Sequence, residues 1–201
     1  MMKNNMVQSL VILDNFYQDP DAVRQFALSQ EYNVVGNYPG RRSSAMPSDS
    51  AKNIIADVLR PINGEITHWE VGEGSYNGSF QYTTSKDKSW IHDDKYTTWA
   101  GVCYLTPNAP VNSGTALFTH IETGLNKTPL KENGEVDFEL LNRIYQDSQD
   151  FSKWELNVQV NNIYNRLVLY RGSYFHTSLD YFGNDINDGR LFQTFFFSTE
   201  F

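Results

Sequence analysis

Ser89-Trp90-Ile91-His92-Asp93-Asp94 is the stretch whose reading decides the rest of this chain. In a strand, alternate residues point to the same side, so His92 and Asp94 project together while Asp93 points away. An imidazole and a carboxylate at that spacing can take adjacent positions on one metal ion. A third ligand must come from elsewhere. His176 is placed to supply it, following the strand-like NRLVLY and the turn RGSYF. Two histidines and one carboxylate on one face of an octahedron leave three positions open to other ligands.

Working outward, the sequence from Ile66 onward is a series of short β-like runs: ITHWEV, SFQYTT, SWIHDD, TTWAGVCYL, TALFTHI, WELNVQV, NRLVLY and RLFQTFFF. Short strands broken by turn residues predict a sandwich or jelly roll rather than βαβ units. VDFELLNRIYQDSQDFSKW (136–154) interrupts them with Phe138, Leu141 and Ile144 at helical spacing. Toward the N-terminus, LVILDNF (10–16) reads as a strand. Asp19-Pro20-Asp21 then supplies a cap, a first-turn proline and an early acid for a helix to about Gln30. GNYPGRRSSAMPSDS (36–50) is rich in turn formers and predicts a loop, and AKNIIADVLR a second short helix. The expected fold is mostly β with flanking helices: a double-stranded β-helix (jelly roll) core over 66–201, an N-terminal helical layer over 1–65 and a helical insertion near 136–154. No linker divides the chain, so 1–201 reads as one domain.

Composition limits what such a domain can bind. Sixteen basic against 24 acidic side chains leave a net charge of −8. That balance argues against a nucleic-acid partner, which needs a basic patch. One arginine can still hold a small carboxylate in an acidic protein. No stretch reads as an apolar membrane span, and the N-terminus carries no signal-peptide pattern, so the expected location is cytoplasmic, away from any membrane. The single cysteine, Cys103, excludes a disulfide framework and a Cys-rich zinc site; within AGVCYL it reads as a small buried hydrophobe.

Arg190 lies 14 residues after His176 (190 − 176) and opens RLFQTFFF, where Arg190, Phe192, Thr194 and Phe196 share a face. An arginine in an aromatic strand is costly to bury without an anionic partner. A dicarboxylate reaching the metal with one end would meet it bidentately with the other. The series HxD (92–94), CYL (103–105), SGTALF (113–118), late His176 and following Arg190 resembles the iron(II)/2-oxoglutarate dioxygenases, closest to their prolyl-hydroxylase-like branch, over roughly residues 66–200. The segment YPGRR is similar to uncharacterised bacterial and phage members. The resemblance implies Fe(II) held by His92, Asp94 and His176, and 2-oxoglutarate chelating the iron and pairing its far carboxylate with Arg190. Tyr104 matches a family tyrosine that bonds the same carboxylate, and Tyr82 a second one near the metal. It further implies O2 as a partner, succinate and CO2 as co-products, and hydroxylation of a small molecule, amino acid or peptide side chain. Asp94 argues against halogenation, because family halogenases carry a small residue there. Two departures stand out: the 82-residue gap from Asp94 to His176 (176 − 94), assigned to the helical insertion, and Ser113-Gly114 where the family pairs two glycines.

Bland readings exist for each residue. His92 and Asp94 could end a solvated loop, His176 could be a turn histidine, and Arg190 could pair at the surface with Asp185 or Asp188. Together they would require four coincidences in the right order. His68 and His120 read as structural or exposed, with His120 a stand-in ligand only if the strand register differs. Arg41 and Arg42 read first as a solvated loop and second as a lid meeting an acidic substrate. The alternative functions are a cupin-like metal dioxygenase without 2-oxoglutarate, and a non-enzymatic jelly-roll module binding carbohydrate. Substrate and oligomeric state are not legible.

Overall fold

The computed structural model describes residues 8–46, 48–69 and 74–200. Strand β1 (Leu10–Leu13) leads to α1 (Pro20–Leu28), which starts as the sequence predicts: the Asp19 side chain accepts from the Ala22 N–H at 2.9 Å and Pro20 takes the first turn. The segment 36–50 contains a two-residue strand, β2 (Arg41–Arg42), rather than loop alone. Helix α2 (Asp49–Asn63), capped by Ser48, is longer than its sequence signal and carries Pro61 in its last turn. Gly64, at φ 79°, ends it in a conformation that β-carbons disfavour.

Strands β3 (Glu65–Trp69), β4 (Phe80–Thr83), β5 (Trp99–Tyr104), β6 (Thr115–His120), β7 (Trp154–Val160), β8 (Leu167–Arg171), β9 (His176–Ser178) and β10 (Arg190–Glu200) follow. The predicted insertion condenses to α3 (Phe138–Tyr145) and a 3₁₀ turn (Phe151–Lys153). The remainder of the predicted strand ITHWEV and the first seven residues lie partly or wholly outside the described residues. SWIHDD is not a continuous strand; only a bridge between His92 and His176 survives.

Seven strands form one sheet in the order β1-β8-β5-β10-β4-β2, with β3 also paired to β10, and three form a second in the order β7-β6-β9. All pairings are antiparallel. This facing pair is the double-stranded β-helix expected from the sequence. Strand alternation divides the apolar residues into three layers. Leu191, Phe195 and Phe197 of β10 point outward with Leu167, Leu169 and Trp99 to pack on Ala27, Ile55 and Leu59 of the helices. Ala100, Val102, Tyr104, Val168, Tyr170 and Phe192 point inward against Leu117 and Val160 of the small sheet. Behind the small sheet, Ala116, Phe118 and Trp154 meet Leu141 and Ile144 of α3. The order is therefore helices, large sheet, small sheet, helix. Among the described residues no helix is long and apolar enough to cross a membrane.

Candidate metal centre

His92 and His176 are joined through their main chains: each N–H donates to the other's carbonyl, at 3.0 and 2.8 Å. Their separation is thus set by a β-bridge, and their rings lie 4.4 Å apart between centroids. Each ring is also fixed in rotation and tautomer. Nδ1 of His92 donates to the Trp90 carbonyl at 3.0 Å, and Nδ1 of His176 to that of Tyr174 at 2.8 Å. A carbonyl can only accept, so the lone pair of each imidazole is left on Nε2, the arrangement a metal ligand needs.

Asp94 completes the group. Its N–H donates to the Gly172 carbonyl at 2.6 Å, and its Oδ2 sits 3.2 Å from His176 Nε2. One ligand atom from each of His92, Asp94 and His176 lies within 4.8 Å of the others. Burial works to raise the Asp94 pKa, but the neighbouring His176, then His92 and Arg42, favour the ionised form and outweigh it, so the carboxyl is held below its usual range. His92 is held below the ordinary imidazole value by burial first and by His176 second. A carboxylate kept charged beside a neutral imidazole is the protonation state a divalent metal binds.

Asp93, which points the other way, anchors this loop. Its buried carboxylate accepts from Thr128 Oγ1 at 2.7 Å, from the Tyr145 hydroxyl at 2.8 Å and from Lys95 Nζ at 3.2 Å. The inserted α3 thereby holds the loop through Tyr145, and burial beside Asp93 pushes that phenol's pKa far up.

Arg190 is fully buried (0 % exposed) on the inner face of β10. Its Nε donates to the Ser113 carbonyl at 3.0 Å and Nη2 to that of Gly114 at 3.4 Å, while Nη1 is buried with no hydrogen-bond partner among the described residues. The guanidinium carbon lies 4.4 Å from the Phe192 ring centroid and 5.3 Å from that of Tyr104. The surface pair with Asp185 or Asp188 is not formed. Tyr104 is buried beside it, its hydroxyl donating to Thr115 Oγ1 at 2.8 Å. Burial, opposed by Arg190, raises the Tyr104 pKa, so the phenol stays protonated.

Tyr82 is not brought to this group, which corrects the expectation drawn for it. On β4, Gln81 faces inward, so its neighbours Phe80 and Tyr82 must face outward; Tyr82 stacks edge-on against Tyr32, 5.1 Å away, in the helix-side core. His120 is not a stand-in ligand either. It forms a second potential group with Glu122 and Asp147, but its Nδ1 bonds Thr123 Oγ1 at 3.0 Å and its Nε2 bonds Asp147 at 3.1 Å, while Glu122 pairs with Arg143.

A cavity of about 490 Å³ opens over His92, Asp94 and His176. Its walls include Thr115, Tyr170, Phe192 and Thr194 from the sheets, and Arg42 and Gln81 from β2 and β4. From the sequence, Arg42 reads first as part of a solvated loop and only second as a lid meeting an acidic substrate. In the fold it is 6 % exposed, and its burial depends on Gln81, 39 positions away, a contact no local pattern announces.

The fold is a double-stranded β-helix, and it brings His92, Asp94 and His176 together as a candidate metal centre. The chain belongs to a family of unknown function, DUF6445, whose model matches residues 2–197. Among solved structures the fold is similar to HygX from Streptomyces hygroscopicus, crystallised with nickel, 2-oxoglutarate and hygromycin B bound. The TM-score is 0.56 at 12% identity, covering 92% of this chain and 81% of that one. It is also similar to a prolyl hydroxylase from Trichoplax adhaerens in complex with a hypoxia inducible factor peptide fragment, with TM-score 0.52 and 14% identity, covering 98% and 84%. No curated protein matches the sequence.

Proposed function

We propose that this chain is a single-domain iron(II)- and 2-oxoglutarate-dependent oxygenase that hydroxylates a small molecule, an amino acid or a peptide side chain. One observation carries the reading: Nε2 of His92, Nε2 of His176 and the Asp94 carboxylate converge, each imidazole oriented by an Nδ1–H bond to a main-chain carbonyl. That donor set suits iron(II) and leaves room for further ligands. Arg190 supports 2-oxoglutarate in particular. A buried guanidinium with an unpartnered Nη1 and no carboxylate beside it is expensive, and a bound dicarboxylate supplies the missing anion. The structures of HygX with nickel and 2-oxoglutarate bound agree with this assignment.

When bound, the iron and 2-oxoglutarate supply the oxidising chemistry, consuming O2 and releasing succinate and CO2. The protein's own residues do the rest. His92, Asp94 and His176 would hold the metal, and Arg190, with Tyr104 and Thr115 near it, would fix the far carboxylate. Phe192, Val102 and Tyr170 keep the space between the sheets dry. Hydroxylation is the expected outcome because Asp94 occupies a position that halide would otherwise need.

The test is an anaerobic titration of the purified protein with iron(II) and 2-oxoglutarate, following the weak visible charge-transfer band of the chelate. The band is expected in the wild type and absent in His176→Ala. Iron binding without a band would instead support a metal dioxygenase that needs no 2-oxoglutarate, and absence of iron binding would remove the enzyme reading altogether.

A further inference from the structure

The cavity over the metal group carries one lysine or arginine, Arg42, among the described residues. Its guanidinium sits in the corner formed by an edge-on pair of rings, 3.8 Å from the Tyr38 centroid and 4.5 Å from that of Tyr76. Nε donates to Gln81 Oε1 at 2.8 Å, and Nη2 donates to the same oxygen. Gln81 is itself held in that orientation, its Nε2 donating to the Pro39 carbonyl at 2.7 Å. The plane, the edge and the rotation of the guanidinium are therefore all fixed. Nη1 and the second N–H of Nη2 have no partner among the described residues, and together they form an end-on fork on the cavity side.

Among the described residues no carboxylate hydrogen-bonds to Arg42, and Asp94 is the one carboxylate whose charge acts on it. Burial lowers its pKa to about 10, with Tyr38 and then Asp94 acting in the opposite direction, so it is charged at neutral pH. Among the described residues the only carboxylate on the cavity wall is Asp94, which belongs to the metal group. Charge can then be counted for the loaded site. A divalent metal and doubly ionised 2-oxoglutarate cancel, Arg190 offsets Asp94, and the positive charge of Arg42 is left over. An unpaired buried cation is costly, and a fixed fork of two N–H groups matches a carboxylate in shape as well as charge. A single excess charge suits a carboxylate better than a dianionic phosphate.

We propose that Arg42 anchors a carboxylate on the substrate, so that the enzyme acts on a small organic acid whose apolar body lies against Tyr38, Tyr76, Trp90, Tyr181 and Phe196. This rests on the oxygenase reading of the same site and adds the substrate class to it. Gln81 is a positioning residue that aims the fork.

Protein loaded with zinc(II), which cannot turn over, is first titrated calorimetrically with 2-oxoglutarate. Failure to bind sinks the oxygenase reading and this one together, before any acid is added. With 2-oxoglutarate saturating, acid and amide pairs are then compared: phenylacetate with phenylacetamide, indole-3-acetate with its amide, and N-acetylphenylalanine with its amide. At least one acid is expected to bind about tenfold or more tightly than its amide, the effect of one charge-assisted contact. In Arg42→Met that preference disappears while 2-oxoglutarate still binds; Arg42→Lys, with charge but no stacked plane, keeps a reduced preference. Equal binding of acids and amides by the wild type overturns the proposal without recourse to any variant. So does an undiminished preference in Arg42→Met, and loss of 2-oxoglutarate binding there would move Arg42 to the cosubstrate.

Discussion

Arg190 and His92 show how far single side chains determine what this site can do. Arg190 is buried with Nη1 unpartnered, so it should burden the empty protein and serve the loaded one. Arg190→Met is expected to leave iron binding intact and to weaken 2-oxoglutarate by about 30- to 1000-fold, the equivalent of roughly 2–4 kcal/mol for removing one partner of a buried charge pair. The same variant should melt no lower than wild type without ligands; an unchanged 2-oxoglutarate affinity would separate Arg190 from the cosubstrate. His92 carries the pH dependence. Burial and His176 lower its pKa, so the folded chain binds fewer protons there than the unfolded chain. The associated stability is present above about pH 6.5 and is lost as pH falls through the lowered value. Zinc affinity measured from pH 8 downward should accordingly stay flat in this group's contribution through about pH 6.5 and fall only below the lowered value. A decline complete by pH 7 would contradict a neutral-poised His92. The constellation His92, Asp94, His176 and Arg190 was legible because each residue type is rare in an apolar β context and their order is informative. Tyr82 was misplaced for a one-residue reason: alternation along β4 turns its ring to the helices while Gln81 faces the cavity.

At the level of elements, the metal loop is held by parts that are distant in sequence. Tyr145, on the inserted α3, reaches Asp93. Tyr145→Phe should therefore weaken zinc by about tenfold or more, as outer partners of metal ligands usually do, while circular dichroism stays unchanged. Retained affinity would make α3 mere packing for the small sheet. Gly172 is the other support. A β-carbon there would sit 2.4 Å from the Thr97 carbonyl oxygen and 2.6 Å from that of Asp94, both backbone atoms that cannot swing aside. Gly172→Ala is expected to cost about 1–3 kcal/mol, seen as a lower melting temperature, and to reduce metal affinity as the Asp94 loop shifts. Elements with strong local periodicity were legible: α1 with its cap, and β5 and β10 with their alternating faces. The short ones were not. β2 and β9 span two and three residues, too few for alternation to register, and they exist because partners on β4 and β6 complete their hydrogen bonds. SWIHDD read as a strand for the converse reason, since its extended character is realised in a single bridge.

For the whole molecule, ligands that bind only the folded state should stabilise it by mass action. Zinc and 2-oxoglutarate, each at about 100 times its dissociation constant, are worth about 2.7 kcal/mol apiece, or several degrees in melting temperature for a chain of this size. Metal without 2-oxoglutarate should give about half of the combined shift, and a 2-oxoglutarate increment that persists without metal would argue against chelation. The layered architecture was legible in outline because strands and helices segregate along the chain; what lay beyond reach was the closure of the cavity by β2, a long-range event. The reciprocal main-chain bonds between His92 and His176 carry a consequence for how the proposed metal would be acquired. Where ligands come together only around an ion, as in a zinc finger, synthesis and loading must coincide. Here the spacing of the two imidazoles belongs to the sheet, so the polypeptide would mature first and be charged afterwards. Such a chain can wait empty for its ion, lose it under scarcity and be recharged without passing again through an unfolded state.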